Sequence, residues 1–305
     1  MNPAPSTGPA APRGRATRLV VGCGYLGERV ARAWLARGDR VLAVTRRNAR
    51  AAALARLGIE PLVADVTDAA PGWSILAGCD DLVTALWAVG FDRAAGRTYD
   101  DVHVAGLGRL LDALPAGCRP ILSSSTGVWG DEAGRVVDEA TPPNPSREAG
   151  RVLVAAEEML RRHPRGPGVA LRFAGLYGPG RLPRVDDLRR GRPLAADPDA
   201  WLNMIHIDDA VQVVCAVADA SAPAPLYVVS DGGPVLRRDW YGRLASLIGS
   251  PPPVWSVDPA DAPTRGRLAD KRVDPSRLFR DLPIRLLHPD AGVALAALVA
   301  AGRDD

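Results

Sequence analysis

The stretch RLVVGCGYLGERVARAWLARG, residues 18–38, constrains this chain more than any other. A short apolar run meets three glycines spaced G-x-G-x-x-G, and an amphipathic run of helical spacing follows. A strand that feeds a helix through so tight a turn belongs to a βαβ unit, whose next strand lies parallel to the first. The helix is expected from about Leu26 to Arg37, with Gly38 just beyond its end.

The alternation continues along the chain. RVLAVTR, EPLVADV, DDLVTALWAV, PILSSSTGVWG and GVALRFAGLYGPG read as further strands. Helices fall around Asn48 to Leu57, in YDDVHVAGLGRLLDAL and in REAGRVLVAAEEMLRR. This βαβα order predicts an α/β fold, a doubly wound parallel sheet of the Rossmann type. After Gly178 the pattern weakens. NMIHIDDAVQVVCAVADA reads as a turn capped by Asp208 or Asp209 and then a helix; PLYVVS is a strand, and RRDWYGRLASLIGSPPP a helix with a hard stop. The expected organisation is a disordered tail at 1–17, a nucleotide-binding domain at 18–177, and a small substrate lobe at 178–305 with segments returning to the sheet.

Composition narrows the function. A net charge of +3 and the lack of a basic stripe argue against a nucleic-acid partner, and no apolar run reaches membrane-spanning length. The tail MNPAPSTGPAAPRGRAT has no apolar core of a signal peptide. Cys23, Cys79, Cys118 and Cys215 lack the spacing of a zinc or redox site and read as buried thiols in a reducing compartment. The expectation is a cytoplasmic protein acting on a small molecule, with a homodimer left open.

In the glycine turn, Gly22 permits the sharp bend, Gly24 lets backbone approach a pyrophosphate, and Gly27 brings helix and strand together. Gly22, Gly24, Tyr25, Leu26 and Gly27 are the expected cofactor residues here; the alternative is a structural turn with no ligand. The second strand ends in Thr45, Arg46 and Arg47, where an NAD site carries an acid for the ribose hydroxyl. Guanidinium groups suit a 2′-phosphate, so NADP(H) is favoured over NAD(H). Asp65 either reaches the adenine or caps the next turn.

Several ordered motifs together resemble the extended short-chain dehydrogenase/reductase superfamily, in its epimerase/dehydratase branch. VVGCGYLG looks like its atypical glycine motif, LSSSTGVWGD like SS-x-x-VYG, and VVDEATPPNP like the acidic loop that follows. ALRFAGLYGPGR, MIHIDDA and DKRVDPSRL resemble later segments of the same family. The resemblance implies a site built on Tyr-x-x-x-Lys with a Ser or Thr. The tyrosine position falls at Ala149 and the lysine position at Leu153, and Lys271 is the only lysine. What remains is Ser125 in the hydroxyl position, flanked by Thr126 and by Ser124, which is expected near the cofactor. Tyr177 and His206 are candidate proton relays, each with a packing role as its alternative. Glu148 and Arg151 lie on the helix that carries the family pair, and Arg172 and Arg181 flank the GPG loop, where they could meet an anionic substrate or Asp186 and Asp187. The resulting expectation is an NADP(H)-dependent oxidoreductase acting on a small polar substrate; the alternative is a non-catalytic NADP(H)-binding sensor or partner-binding protein.

Overall fold

The computed structural model describes residues 16–68, 72–91, 96–164, 168–256 and 270–302. Nearly all of the tail expected at 1–17 therefore lies outside the described residues. Strand β1 (Thr17–Val21) runs into helix α1 (Tyr25–Ala36), then β2 (Arg40–Thr45), α2 (Asn48–Arg56), β3 (Glu60–Val63) and β4 (Leu82–Trp87). A π-helical turn at Asp101–Gly106 leads into α3 (Leu107–Ala113), followed by β5 (Arg119–Ser125) and a 3-10 turn at Thr126–Val128. Next come β6 (Val136–Val137), α4 (Glu148–Arg162), β7 (Val169–Phe173) and β8 (Gly175–Tyr177).

The main sheet has seven strands in the order β3-β2-β1-β4-β5-β7-β11, where β11 is Leu226–Val229, and every pairing is parallel. The strand order reverses direction between β1 and β4. In open α/β sheets ligands bind in the crevice at the carboxyl ends of such a pair. Alternation explains the two-sided burial: Val20 joins the core under α1, whereas Leu19 and Val21 join the core under α3 and α4.

The rest of the chain wraps the carboxyl end of the sheet. It comprises α5 (Val185–Arg189), β9 (Trp201–Leu202), β10 (Met204–His206), α6 (Ile207–Asp219), β12 (Val235–Leu236), α7 (Arg237–Ile248), β13 (Arg272–Val273), α8 (Ser276–Asp281) and α9 (Ala291–Ala301). Helix α6 packs back onto α1, while Tyr177, Leu188, Trp240, Leu244 and Leu295 form a separate core beneath α5, α7 and α9. Helix α9 escapes the sequence reading because AGVALAALVAA is apolar all round and shows no stripe.

Two local readings are corrected. The cap of α6 is His206, whose ring accepts from the Asp208 backbone N–H at 3.2 Å, not Asp208 or Asp209. Both aspartates lie inside the first turn, and Asp209 instead accepts the backbone N–H groups of Leu287 (2.6 Å) and His288 (3.0 Å). The helix after β4 opens as a π-helical turn, and Gly106 at its end sits against Trp87 and the Val66 carbonyl, so close that an added Cβ would lie 3.2 Å and 3.1 Å from them. Such turns are common at functional sites, and Val102 within it lines the cavity described next.

Candidate active site

The three glycines of the first turn face three different surroundings. Gly22 has φ +89°, and an added Cβ would lie 2.6 Å from the Ala88 and Val89 backbone at the end of β4. At Gly27 a Cβ would lie 2.3 Å from the Gly22 carbonyl and 3.0 Å from Val20. Those two glycines hold the turn and the helix–strand contact. Gly24 is different: a Cβ there meets nothing within 4 Å. It is also the N-cap of α1, and it offers no side chain to the first N–H groups. A helix start with a bare backbone approach is an anion site.

That backbone opens into a cavity of about 580 Å³ at the β1/β4 crevice. Gly22, Gly24, Tyr25, Arg46, Arg47 and Asp65 all line it, so most of the expected cofactor residues converge. Leu26 and Gly27 are buried in α1. Arginines Arg29, Arg50 and Arg97 join Arg46 and Arg47 in the wall, against the carboxylates of Glu28 and Asp65. Glu28 is spent on Arg50 and Arg32; burial pushes its carboxyl up, but these hydrogen bonds outweigh that and hold it low. Asp65 accepts from the Thr67 N–H (2.9 Å) and hydroxyl (2.7 Å), the turn-capping geometry, while Arg97 lies 4.0 Å away. Burial raises its carboxyl too, and the Thr67 bonds and Arg46 outweigh it in the lowering direction. A phosphate-bearing dinucleotide fits this lining: bare backbone for the pyrophosphate, and guanidinium groups where β2 ends. The sequence reading missed Arg50, one turn along α2 from Arg46 and Arg47, although the helical spacing carried that signal.

The hydroxyl cluster lies at the end of β5. Ser125 Oγ accepts from the Gly127 N–H at 3.0 Å and caps the 3-10 turn. Helix α4 starts directly on this turn, since a Cβ at Gly150 would lie 2.5 Å from the Gly127 carbonyl. Ala149, expected at the tyrosine position, precedes that contact in the first turn of α4, and Ser125 and Thr126 are half-buried. Leu153, at the lysine position, packs with Val128, Trp129 and Val273. Glu148 and Arg151 on the same helix are exposed.

Ser124 does not line the cofactor cavity as expected. It is buried, and its hydroxyl donates to Glu157 at 2.5 Å. Glu157 is in turn held by Arg172 at 2.7 Å, and Arg172 lies over the Trp129 ring at 4.5 Å. Arg172 gives its Nε and Nη2 to Glu157, while its buried Nη1 has no partner. Arg181 lies over the Tyr25 ring, and Asp187 pairs with Arg184. Lys271 is buried far along the chain from α4 and donates to the Trp129 carbonyl at 2.9 Å, tying the C-terminal segment to the loop after Ser125. Burial pushes its ammonium down to about 8, with Arg237 next in effect.

The two proposed proton relays are enclosed. Tyr177 and His206 are register partners on β8 and β10, and their rings meet edge-on at 5.2 Å. Tyr177 is fully buried, its hydroxyl has no partner, and burial raises its pKa strongly. His206 is 2% exposed, and burial, reinforced by His288, lowers its pKa. Neither side chain faces the arginine-lined cavity as a wall residue.

A parallel seven-stranded sheet with a glycine turn, an open helix start and a cavity at its reversal point defines a Rossmann-type nucleotide-binding protein. The chain belongs to the NAD dependent epimerase/dehydratase family, whose profile matches residues 18–229. That family binds NAD(P) cofactors and is of the short-chain dehydrogenase/reductase kind. Protein YeeZ of Escherichia coli is 31% identical over 89% of this chain and 96% of its own length. The 3-diazoavenalumate denitrifying reductase of a Streptomyces species is 29% identical over 77% of this chain and 82% of its own. A solved structure described as a putative NAD-dependent epimerase/dehydratase from Methylobacillus flagellatus is 30% identical with a TM-score of 0.75, covering 94% of this chain and 99% of that one.

Proposed function

We propose that the protein binds NADP(H) in the β1/β4 cavity and uses it to reduce or oxidise a small polar substrate. The observation that carries this is the pairing of an open Gly24 backbone with five arginines, Arg29, Arg46, Arg47, Arg50 and Arg97, in one cavity wall. When bound, the nicotinamide supplies or accepts a hydride. Gly22, Gly24 and the start of α1 would hold the pyrophosphate, and Arg46 and Arg47 would take the 2′-phosphate. Ser125 and Thr126, beside the first turn of α4, orient the substrate oxygen. With Ala149 and Leu153 in the family's Tyr and Lys positions, the proton comes through solvent rather than from a tuned phenol.

The same substitution supports a second reading, a protein that binds NADP(H) without turnover, because a serine hydroxyl alone is a poor general acid. Titration of the purified chain with NADPH and NADH, followed by cofactor fluorescence, tests the cofactor; tighter NADH binding refutes the assignment. Consumption of bound NADPH with a panel of aldehydes, ketones, imines and nucleotide-sugars separates the two readings. Tight binding with no turnover across the panel selects the second.

A further inference from the structure

We propose that His206, Asp208 and His288 form a binding site for a divalent metal ion of the zinc class. The three side chains come from the end of β10, the first turn of α6 and the loop before α9, and their ligating atoms lie within 4.8 Å of one another. Asp208 Oδ2 stands 3.6 Å from His206 Nδ1 and 3.6 Å from His288 Nε2. Zinc bonds of 2.0–2.2 Å in a tetrahedron place neighbouring ligand atoms about 3.4 Å apart. Both Asp208 gaps are therefore within a few tenths of an ångström of the metal-bound spacing, and the histidine pair lies within the 4.8 Å limit.

The fold holds this trio in place. Asp209 is completely buried and binds the Leu287 and His288 backbone N–H groups, which fixes the loop that carries His288 over His206. The two imidazoles lie 3.7 Å apart, centroid to centroid, at 40°, closer than the about 5 Å that two imidazoles on one tetrahedral ion require, so loading must swing the half-exposed His288 ring off His206. His206 Nδ1 already accepts a hydrogen bond, from the Asp208 N–H at 3.2 Å, so it is the unprotonated nitrogen and its lone pair faces Asp208. Metal loading exchanges that long capping bond for a metal–nitrogen bond. The positive end of α6 and nearby Arg29 oppose a cation, and the Asp208 and Asp209 carboxylates offset them. Two imidazoles and one carboxylate leave a fourth position open, the donor set of many zinc sites. The bound ion would tie the 287–288 loop to β10 beneath the Gly178 turn, where an added Cβ would be 3.3 Å from His206 Nε2 and 2.9 Å from the Tyr25 hydroxyl.

The test is a titration of the EDTA-treated full chain with ZnCl2 by calorimetry, repeated for His288→Ala and Asp208→Asn. Both positions are partly exposed, so both variants are expected to fold, and metal-free melting curves check this. The wild type is expected to bind one ion and to melt higher with it. Each variant is expected to lose at least about tenfold in affinity, the smallest cost usual even for groups that only support a ligand. His163→Ala, at a histidine that faces Asp112, is expected to change nothing. Substituted Co2+ is expected to give four-coordinate absorption without a thiolate band, since the cysteines are buried. Absence of stoichiometric binding, equal affinity in both variants, or a thiolate spectrum would overturn the proposal.

Discussion

Gly24→Ala separates ligand binding from folding more cleanly than any other change at the glycine turn. A methyl group there touches no atom within 4 Å, and the residue does not need a left-handed backbone. Gly27→Ala, three residues on, drives a Cβ to 2.3 Å from the Gly22 carbonyl, and Gly22→Ala meets the β4 backbone at 2.6 Å with φ +89°. Fold stability should therefore be unaffected by the first change and lost in the other two. The methyl at Gly24 occupies the approach of the pyrophosphate and displaces at least one hydrogen bond to a charged group, worth about 1.5–3 kcal/mol. At about 1.4 kcal/mol per decade, that predicts roughly a 10–100-fold weaker Kd for NADPH. The assay is an NADPH titration by fluorescence alongside a urea melt for all three variants. Unchanged NADPH affinity in Gly24→Ala, with the fold intact, would refute the assignment of this turn to the pyrophosphate.

Three further outcomes follow from the geometry. Replacing Arg46 and Arg47 together with Ser should weaken NADPH binding more than NADH binding; an equal loss for both would show that these side chains do not read the 2′-phosphate. Glu157→Gln leaves the buried Arg172 guanidinium without its charge partner, a loss of about 3–5 kcal/mol visible as a lower urea midpoint, while NADPH affinity should hold. Burial, helped by Asp209, raises the Asp231 carboxyl from 3.8 to about 7. A pKa raised by folding contributes stability that is full below about 4 and is lost as the pH rises through 7. Asp231→Asn keeps an oxygen for the Gly233 N–H, and at pH 8 it should gain up to about 4 kcal/mol and flatten that slope; a steeper slope in the variant would contradict this.

Much of the nucleotide half of the site was legible residue by residue. Gly22, Gly24 and Gly27 are placed by local spacing, because a strand, a turn and a helix share only a dozen neighbouring positions. Arg46 and Arg47 were legible for the same reason, being the end of the next strand. Arg97 could not be found this way: it lies outside any strand or helix and joins the cavity wall only through the tertiary fold. For Tyr177 and His206 the sequence left a relay role and a packing role open, and the pairing of β8 with β10 and the cover of Trp240 enclose both side chains.

The sequence by itself determined the order of strands and helices and the glycine turn, because each is written within a few turns of chain. The tertiary structure decided which charges are spent and which are presented. Ser124 and Arg172 meet Glu157 across the sheet and α4, apart from the residues that line the β1/β4 cavity. His206, Asp208 and His288 converge although 82 positions separate the first from the last. Contacts between distant segments follow from packing, and no local period in the chain encodes them.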